Sequence, residues 1–183
     1  MNALMLLADG FEDTEGLTTR DVLIRGGIDV TTASITSSKE VNSSFGVKLF
    51  ADALLEEVNL DAFDILILPG GGRGTANLAN SDKVRKTILS FNEKGKIMCA
   101  ICAAPSIYGI MGLLKNKRYT CFAGCNKGIE GNFTAREVEV DERFITARSM
   151  QYSIPFALAI IEKTLGVAAK ERVIKGLRGL DEK

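Results

Sequence analysis

Lys96-Ile97-Met98-Cys99-Ala100-Ile101-Cys102-Ala103-Ala104-Pro105-Ser106 is the stretch that decides how this chain folds. Ile97 to Ile101 is a short apolar run, as in a central parallel strand covered on both faces. Pro105 suits the first turn of a helix, where a missing N–H costs nothing. Ser106 to Leu114 then continues at helical spacing. The stretch predicts a buried strand that breaks sharply into a helix, with Cys102 at the break. A cysteine there faces the positive end of the helix, which favours thiolate over thiol. That is a nucleophile elbow with sulfur in place of hydroxyl. A buried structural cysteine fits the same residues, and at this point the two readings stand side by side.

Outward from the elbow, apolar runs and glycine turns alternate as in an α/β protein. Ala3 to Ala8 reads as a strand buried on both faces. Asp9-Gly10-Phe11-Glu12-Asp13-Thr14-Glu15-Gly16 follows. A helical pattern then runs through Leu17, Val22, Leu23 and Ile24 to the stop at Gly26-Gly27, and Ile28 to Ser34 is the next strand. Glu12 and Asp13 read as charges that complement a helix N-terminus. Without G-x-G-x-x-G, and with carboxylates where a pyrophosphate would sit, this is not a dinucleotide site. Thr36 to Ser44 is a polar loop or hairpin, Val47 to Phe50 a short strand and Leu54 to Leu60 a helical turn.

Ile65 to Leu68 is another buried strand. It ends in Pro69-Gly70-Gly71-Gly72-Arg73-Gly74-Thr75, a glycine loop at the strand end where α/β sheets place ligands. No G-K-[ST] ending makes it a P-loop. Its glycines either bring backbone N–H groups close to a substrate oxygen or serve a tight turn. Val84, Ile88, Leu89 and Phe91 predict a helix lying on the sheet and ending near Gly95. Arg118 to Phe122 reads as a strand. Glu137–Val140 and Arg143–Ala147 read as a half-exposed hairpin around Asp141-Glu142. Ile154 to Leu165 is an amphipathic helix, with a more basic one over Val167 to Leu177.

The chain of 183 residues is expected to form one domain over 1–183. Lys plus Arg and Asp plus Glu number 23 each, so no global field draws nucleic acid or an anionic membrane. No apolar run reaches the roughly 20 residues of a membrane span. Met1 to Asp9 lacks a basic n-region and reads as structure rather than a signal peptide, which makes the cytoplasm the expected location. Histidine is absent. That excludes Ser-His-Asp and Cys-His pairs and histidine-ligated zinc, and leaves acid–base work to carboxylates, thiols, tyrosines, lysines or water. Cys99 and Cys102 match C-x-x-C, with Cys121 and Cys125 downstream. The first pair lies on an apolar strand, however, where residues three apart point to opposite faces. No metal is expected.

Leu6–Glu15, Phe63–Gly71, Ala100–Pro105 and Phe156–Glu162, in this order, resemble the ThiJ/PfpI superfamily over nearly the whole chain. The branch they are most similar to is that of the parkinsonism-associated deglycase and its bacterial relatives. The resemblance implies a flavodoxin-like three-layer α/β sandwich: a mostly parallel sheet with helices on both faces, a nucleophile elbow, and a homodimer. It implies Cys102 as nucleophile and Glu15 as the carboxyl group that meets its sulfur. The backbone N–H groups of Gly71 and Ala103 would form an oxyanion site, with Gly70 and Cys121 as accessories. A carboxyl desolvated beside a thiolate should keep its proton to higher pH than usual.

Two departures stand out. Ala103 occupies the position where PfpI-like proteases have histidine, and Cys121 the position of a histidine in the deglycase branch. The family's Gly-Pro-Gly-Thr turn is replaced by Ser149-Met150-Gln151-Tyr152. The function implied is a cofactor-independent cysteine enzyme acting on small aldehydes or glycated substrates, in the manner of a glyoxalase or deglycase. Its alternatives are a non-catalytic redox sensor or stress chaperone, in which Cys121 resolves an oxidised Cys102, and a cysteine hydrolase or amidase.

Overall fold

The computed structural model describes residues 1–180. In chain order the strands and helices are β1 (Asn2–Leu7), α1 (Asp13–Arg25), β2 (Asp29–Ser34), β3 (Glu40–Asn42), β4 (Lys48–Phe50), β5 (Ala53–Leu54), β6 (Ile65–Leu68), α2 (Gly72–Ala79), α3 (Asp82–Glu93), β7 (Ile97–Ile101), α4 (Pro105–Ile110), β8 (Arg118–Tyr119), β9 (Asn132–Phe133), β10 (Val138–Asp141), β11 (Phe144–Ala147), α5 (Ser153–Leu165) and α6 (Val167–Leu177). Seven strands form one sheet in the order β10-β11-β7-β6-β1-β2-β5. Every neighbouring pair is parallel except β10 with β11. The fold is the flavodoxin-like α/β sandwich that the sequence implies.

The alternation of side chains along each strand sorts the core into two layers. Met5, Leu7, Ile67, Cys99 and Ile101 pack with Val22 and Leu23 of α1 and with Phe156 and Ile160 of α5. Leu4, Leu6, Leu66, Leu68, Met98 and Ala100 pack on the opposite face with Leu78 of α2, Val84, Ile88 and Phe91 of α3, and Ile107 and Tyr108 of α4. This is why the central strands read as unbroken apolar runs. Each such buried Val, Leu, Ile, Met or Phe side chain contributes about 1.5–3 kcal/mol.

Four expectations are corrected. Leu89 is 38% exposed on the outer face of α3, so Val84, Ile88 and Phe91 carry the packing. The strand expected over Arg118–Phe122 stops at Tyr119 and pairs with β9 outside the main sheet. Beyond it, Thr120 N donates to Thr146 Oγ1 (2.9 Å) and Phe122 N to the Cys102 carbonyl (2.7 Å), so these amides are not free for a ladder. β11 is buried along its whole length rather than half exposed, because Ile145 and Ala147 pack into the layer with α5 and Phe144 into the opposite layer with Tyr108. The glycine stretch is not only a turn: α2 starts at Gly72, with Gly71 as its cap at φ 89°.

Candidate active site

Three adjacent strands, β7, β6 and β1, send their C-terminal ends to one place. The segments leaving them carry Cys102, the Gly70-Gly71 turn, and the Asp9–Glu12 loop that leads into α1. Ligands of open parallel sheets sit at such strand ends.

Cys102 takes the sharp turn itself. Its φ is 63°, a left-handed conformation that costs a non-glycine residue about 1–2 kcal/mol. Two backbone hydrogen bonds impose it: Cys102 N donates to Ala147 O at the end of β11 (2.9 Å), and Cys102 O accepts from Phe122 N (2.7 Å). The side chain is thereby lifted out of the strand's alternation and left partly exposed. The backbone N–H groups of Ala103 and Gly71 point to its sulfur.

Glu15 lies in the first turn of α1 and is 1% exposed. Its Oε2 accepts from Gly70 N at 2.9 Å. The Cys102 thiol acts on the same carboxyl but stops short of full hydrogen-bond geometry, since Oε1 has no partner. Gly70 is the spacer between them: a Cβ there would stand 2.5 Å from Glu15 Oε2 and 2.8 Å from Cys102 Cβ. A Cβ on Gly71 would stand 2.3 Å from Gly10 O. Both glycines are therefore demanded by close approach, and at Gly71 by positive φ as well.

Burial pushes the Glu15 carboxyl up from 4.5 to about 7, the Glu12 charge pushes the same way, and the Cys102 and Gly70 hydrogen-bonding groups pull back. This matches the expectation for a desolvated carboxyl. The expectation of a thiolate at Cys102 is corrected. Burial raises the thiol, then the charge of Glu15 raises it further, and the Ala103 and Gly71 N–H groups offset only part of this. α4 spans only six residues, Pro105–Ile110, so the favourable field at the elbow is that of two amides rather than of a long helix. Two anions in contact are costly, so the pair holds one proton between its members over a wide pH range.

Cys121 lies at the base of the opposite core layer, fully buried. Its thiol is pushed up to about 12 by burial and by the nearby Cys125 thiol. Cys125 is partly buried against that same layer. Cys99 is buried within the layer under α1 and α5. Ser149 leads into a 3-10 turn, Met150–Tyr152. Among the described residues no group of three or more His, Cys, Asp or Glu clusters as a metal site would. No helix there is long and apolar enough to cross a membrane.

Glu12 and Asp13 do more than complement the charge of the α1 N-terminus. Asp13 accepts from Ser43 Oγ (2.6 Å) and Phe45 N (3.2 Å), tying the β3–β4 hairpin to α1. Glu12 caps α1 by accepting from Glu15 N (2.7 Å). Glutamate is not among the usual cap residues, so the local sequence does not mark Glu12 as the cap.

Residues 1–163 match the model of the DJ-1/PfpI family. The chain is 34% identical over 175 residues to protein DJ-1 homolog B of Arabidopsis thaliana, covering 94% of this chain and 39% of that protein, so it spans well under half the length of this relative. It is 31% identical over 180 residues to the glutathione-independent glyoxalase DJR-1.2 of Caenorhabditis elegans, covering 96% of this chain and 95% of that one. The crystal structure of a mutant of STM1931, a DJ-1 superfamily protein from Salmonella typhimurium, superposes with a TM-score of 0.91 at 33% identity, covering 99% of both chains. With the parallel sheet, the strained cysteine after β7 and the buried glutamate at the start of α1 in hand, the match extends through sequence and structure alike: the chain belongs to the DJ-1/PfpI family.

Proposed function

We propose that the protein is a cofactor-independent enzyme that converts small α-oxoaldehydes to hydroxy acids, with Cys102 as nucleophile and Glu15 as proton carrier. The observation that carries this reading is the pairing of a strained, partly exposed cysteine with a buried carboxyl across Gly70, at the C-terminal ends of the central strands. The glyoxalase name of the nematode relative agrees with it.

The chemistry balances with water as the only co-reactant. The Cys102 sulfur adds to the aldehyde carbon, and the carbonyl oxygen takes a proton, giving a hemithioacetal. Glu15 removes the proton on that carbon and the enediol is reprotonated at the neighbouring carbon, giving an α-hydroxy thioester. Water displaces the sulfur to release the hydroxy acid and the free thiol. The amides of Gly71 and Ala103, which face the sulfur, stabilise the oxyanions on either side of the rearrangement.

The working form in this reading is a homodimer of a domain spanning the chain. Phe45 (81% exposed) and Phe50 (75%) on the β3–β4 hairpin, together with Leu17 and Ile24 on α1, present apolar surface that a second copy would cover. The test is lactate production from methylglyoxal by wild type, Cys102→Ala and Glu15→Gln. Turnover confined to wild type is expected; lactate formed by Cys102→Ala at the wild-type rate would overturn the proposal.

A further inference from the structure

We infer that Glu12 is a positioning residue, one that holds the Glu15 carboxyl against Cys102 by closing a ring of three hydrogen bonds through Gly70. Glu12 N donates to Gly70 O (3.1 Å), Gly70 N donates to Glu15 Oε2 (2.9 Å), and Glu15 N donates to Glu12 Oε2 (2.7 Å). The ring joins the strand end after β6 to the first turn of α1. It fixes the Glu15 backbone from below and one carboxyl oxygen from the side. The other oxygen, Oε1, is left buried without a partner, on the carboxyl that meets the thiol. The cap to Glu15 N holds Glu12 in place, and its negative charge bears on Glu15.

The consequence is electrostatic as well as geometric. The groups that act on Glu15 are Cys102 from the elbow, Glu12 from its own segment, and the Gly70 amide from the glycine turn. From the α5 side the layer over α1 is apolar, formed by Phe156, Ala157, Ile160 and Ile161. Among the described residues, Glu12 is thus the charged neighbour that favours the protonated Glu15 carboxyl without itself touching the Cys102 sulfur. Burial is the main cause that keeps Glu15 a proton donor at a pH where an ordinary glutamate has lost its proton, and the Glu12 charge adds to it. The inference rests on the reading of Glu15 and Cys102 as the working pair.

The experiment uses three variants of the full chain, Glu12→Gln, Glu12→Ala and Glu15→Gln. Glu15 is titrated by its side-chain carboxyl carbon resonance, assigned by its absence in Glu15→Gln. Cys102 is titrated by its rate of alkylation with iodoacetamide across pH. Glu12→Gln keeps an oxygen for the cap and removes only the charge. Its Glu15 midpoint is expected to fall by about half a pH unit or more, with the Cys102 alkylation profile moving with it. Glu12→Ala removes the cap too, and is expected to lower kcat on methylglyoxal about tenfold or more with little change in KM. An unmoved Glu15 midpoint in folded Glu12→Gln overturns the inference, as does a shift that the Cys102 profile does not follow. A Cys102 profile unchanged by Glu15→Gln would instead overturn the pairing of Glu15 with Cys102 on which the inference stands.

Discussion

Gly70 donates its backbone N–H to Glu15 Oε2 at 2.9 Å across a gap in which no side chain fits. The glycine is both a ligand of the carboxyl and the space that lets it meet Cys102. Gly70→Ala would bring a methyl group to 2.5 Å from Glu15 Oε2 and 2.8 Å from Cys102 Cβ. Overpacking of this kind costs about 1–3 kcal/mol, and relief requires the two side chains to part. The variant is expected to fold with a lowered urea midpoint and to lose turnover on methylglyoxal, even though it changes neither reacting group. Wild-type turnover in this variant would show that the Glu15–Cys102 approach is not needed.

Glu15→Gln should separate thiol ionisation from catalysis. In wild type the charge on Glu15 is one of the causes that hold the Cys102 thiol up, and that charge develops as pH rises through about 7. An amide has no charge to develop. The expected outcome is faster alkylation of Cys102 by iodoacetamide at mildly alkaline pH together with a loss of turnover of about 100-fold or more, the usual scale for a removed proton carrier. Slower alkylation in the variant would mean that Glu15 assists the thiolate rather than opposing it.

The same carboxyl gives the fold a signed pH dependence. Its value of about 7 in the folded chain lies above the ordinary 4.5, so the folded state holds this proton more tightly than the unfolded state. The stabilisation is complete below the ordinary value and is lost as pH rises through about 7. A difference of that size corresponds to roughly 3 kcal/mol. Urea denaturation should therefore show wild type losing stability between pH 5 and pH 8 relative to Glu15→Gln, by an amount of this order. Parallel pH profiles for the two proteins would show that Glu15 titrates at its ordinary value.

Much of this site is legible in the sequence because close packing leaves so few residue types possible. The apolar runs at β1, β6 and β7 announce central strands, and Pro105 after Cys102 announces the elbow. Other features depend on parts of the chain that are distant in sequence. The glycine loop hides the start of α2, because Gly74 is there to let the helix approach Phe11, where a Cβ would stand 2.7 Å from the Phe11 backbone. No periodicity signals that. The strand expected through Phe122 is cut short because its amides go to Thr146 and Cys102, which a linear reading does not bring together. The direction of the Cys102 thiol is set by burial and by Glu15, and so outweighs the local rule that a helix start favours thiolate.

Cys102 itself offers the last test, because its backbone is strained for a reason that can be removed. At φ 63° any side chain with a Cβ is disfavoured by about 1–2 kcal/mol, and glycine is not. Glycine substitutions ordinarily destabilise by enlarging the freedom of the unfolded chain, by up to about 1 kcal/mol. At an unstrained position Cys→Gly would therefore be less stable than Cys→Ala. Here the native strain outweighs that loss, since the bonds from Cys102 N to Ala147 O and from Phe122 N to Cys102 O hold the turn whichever residue occupies it. Cys102→Gly should match or exceed Cys102→Ala in urea denaturation, and both should lack turnover. A clear advantage for alanine would mean that the clamp relaxes when the sulfur is gone, and that the thiol's contacts with Glu15, Gly71 and Ala103, rather than the backbone clamp, keep the elbow bent.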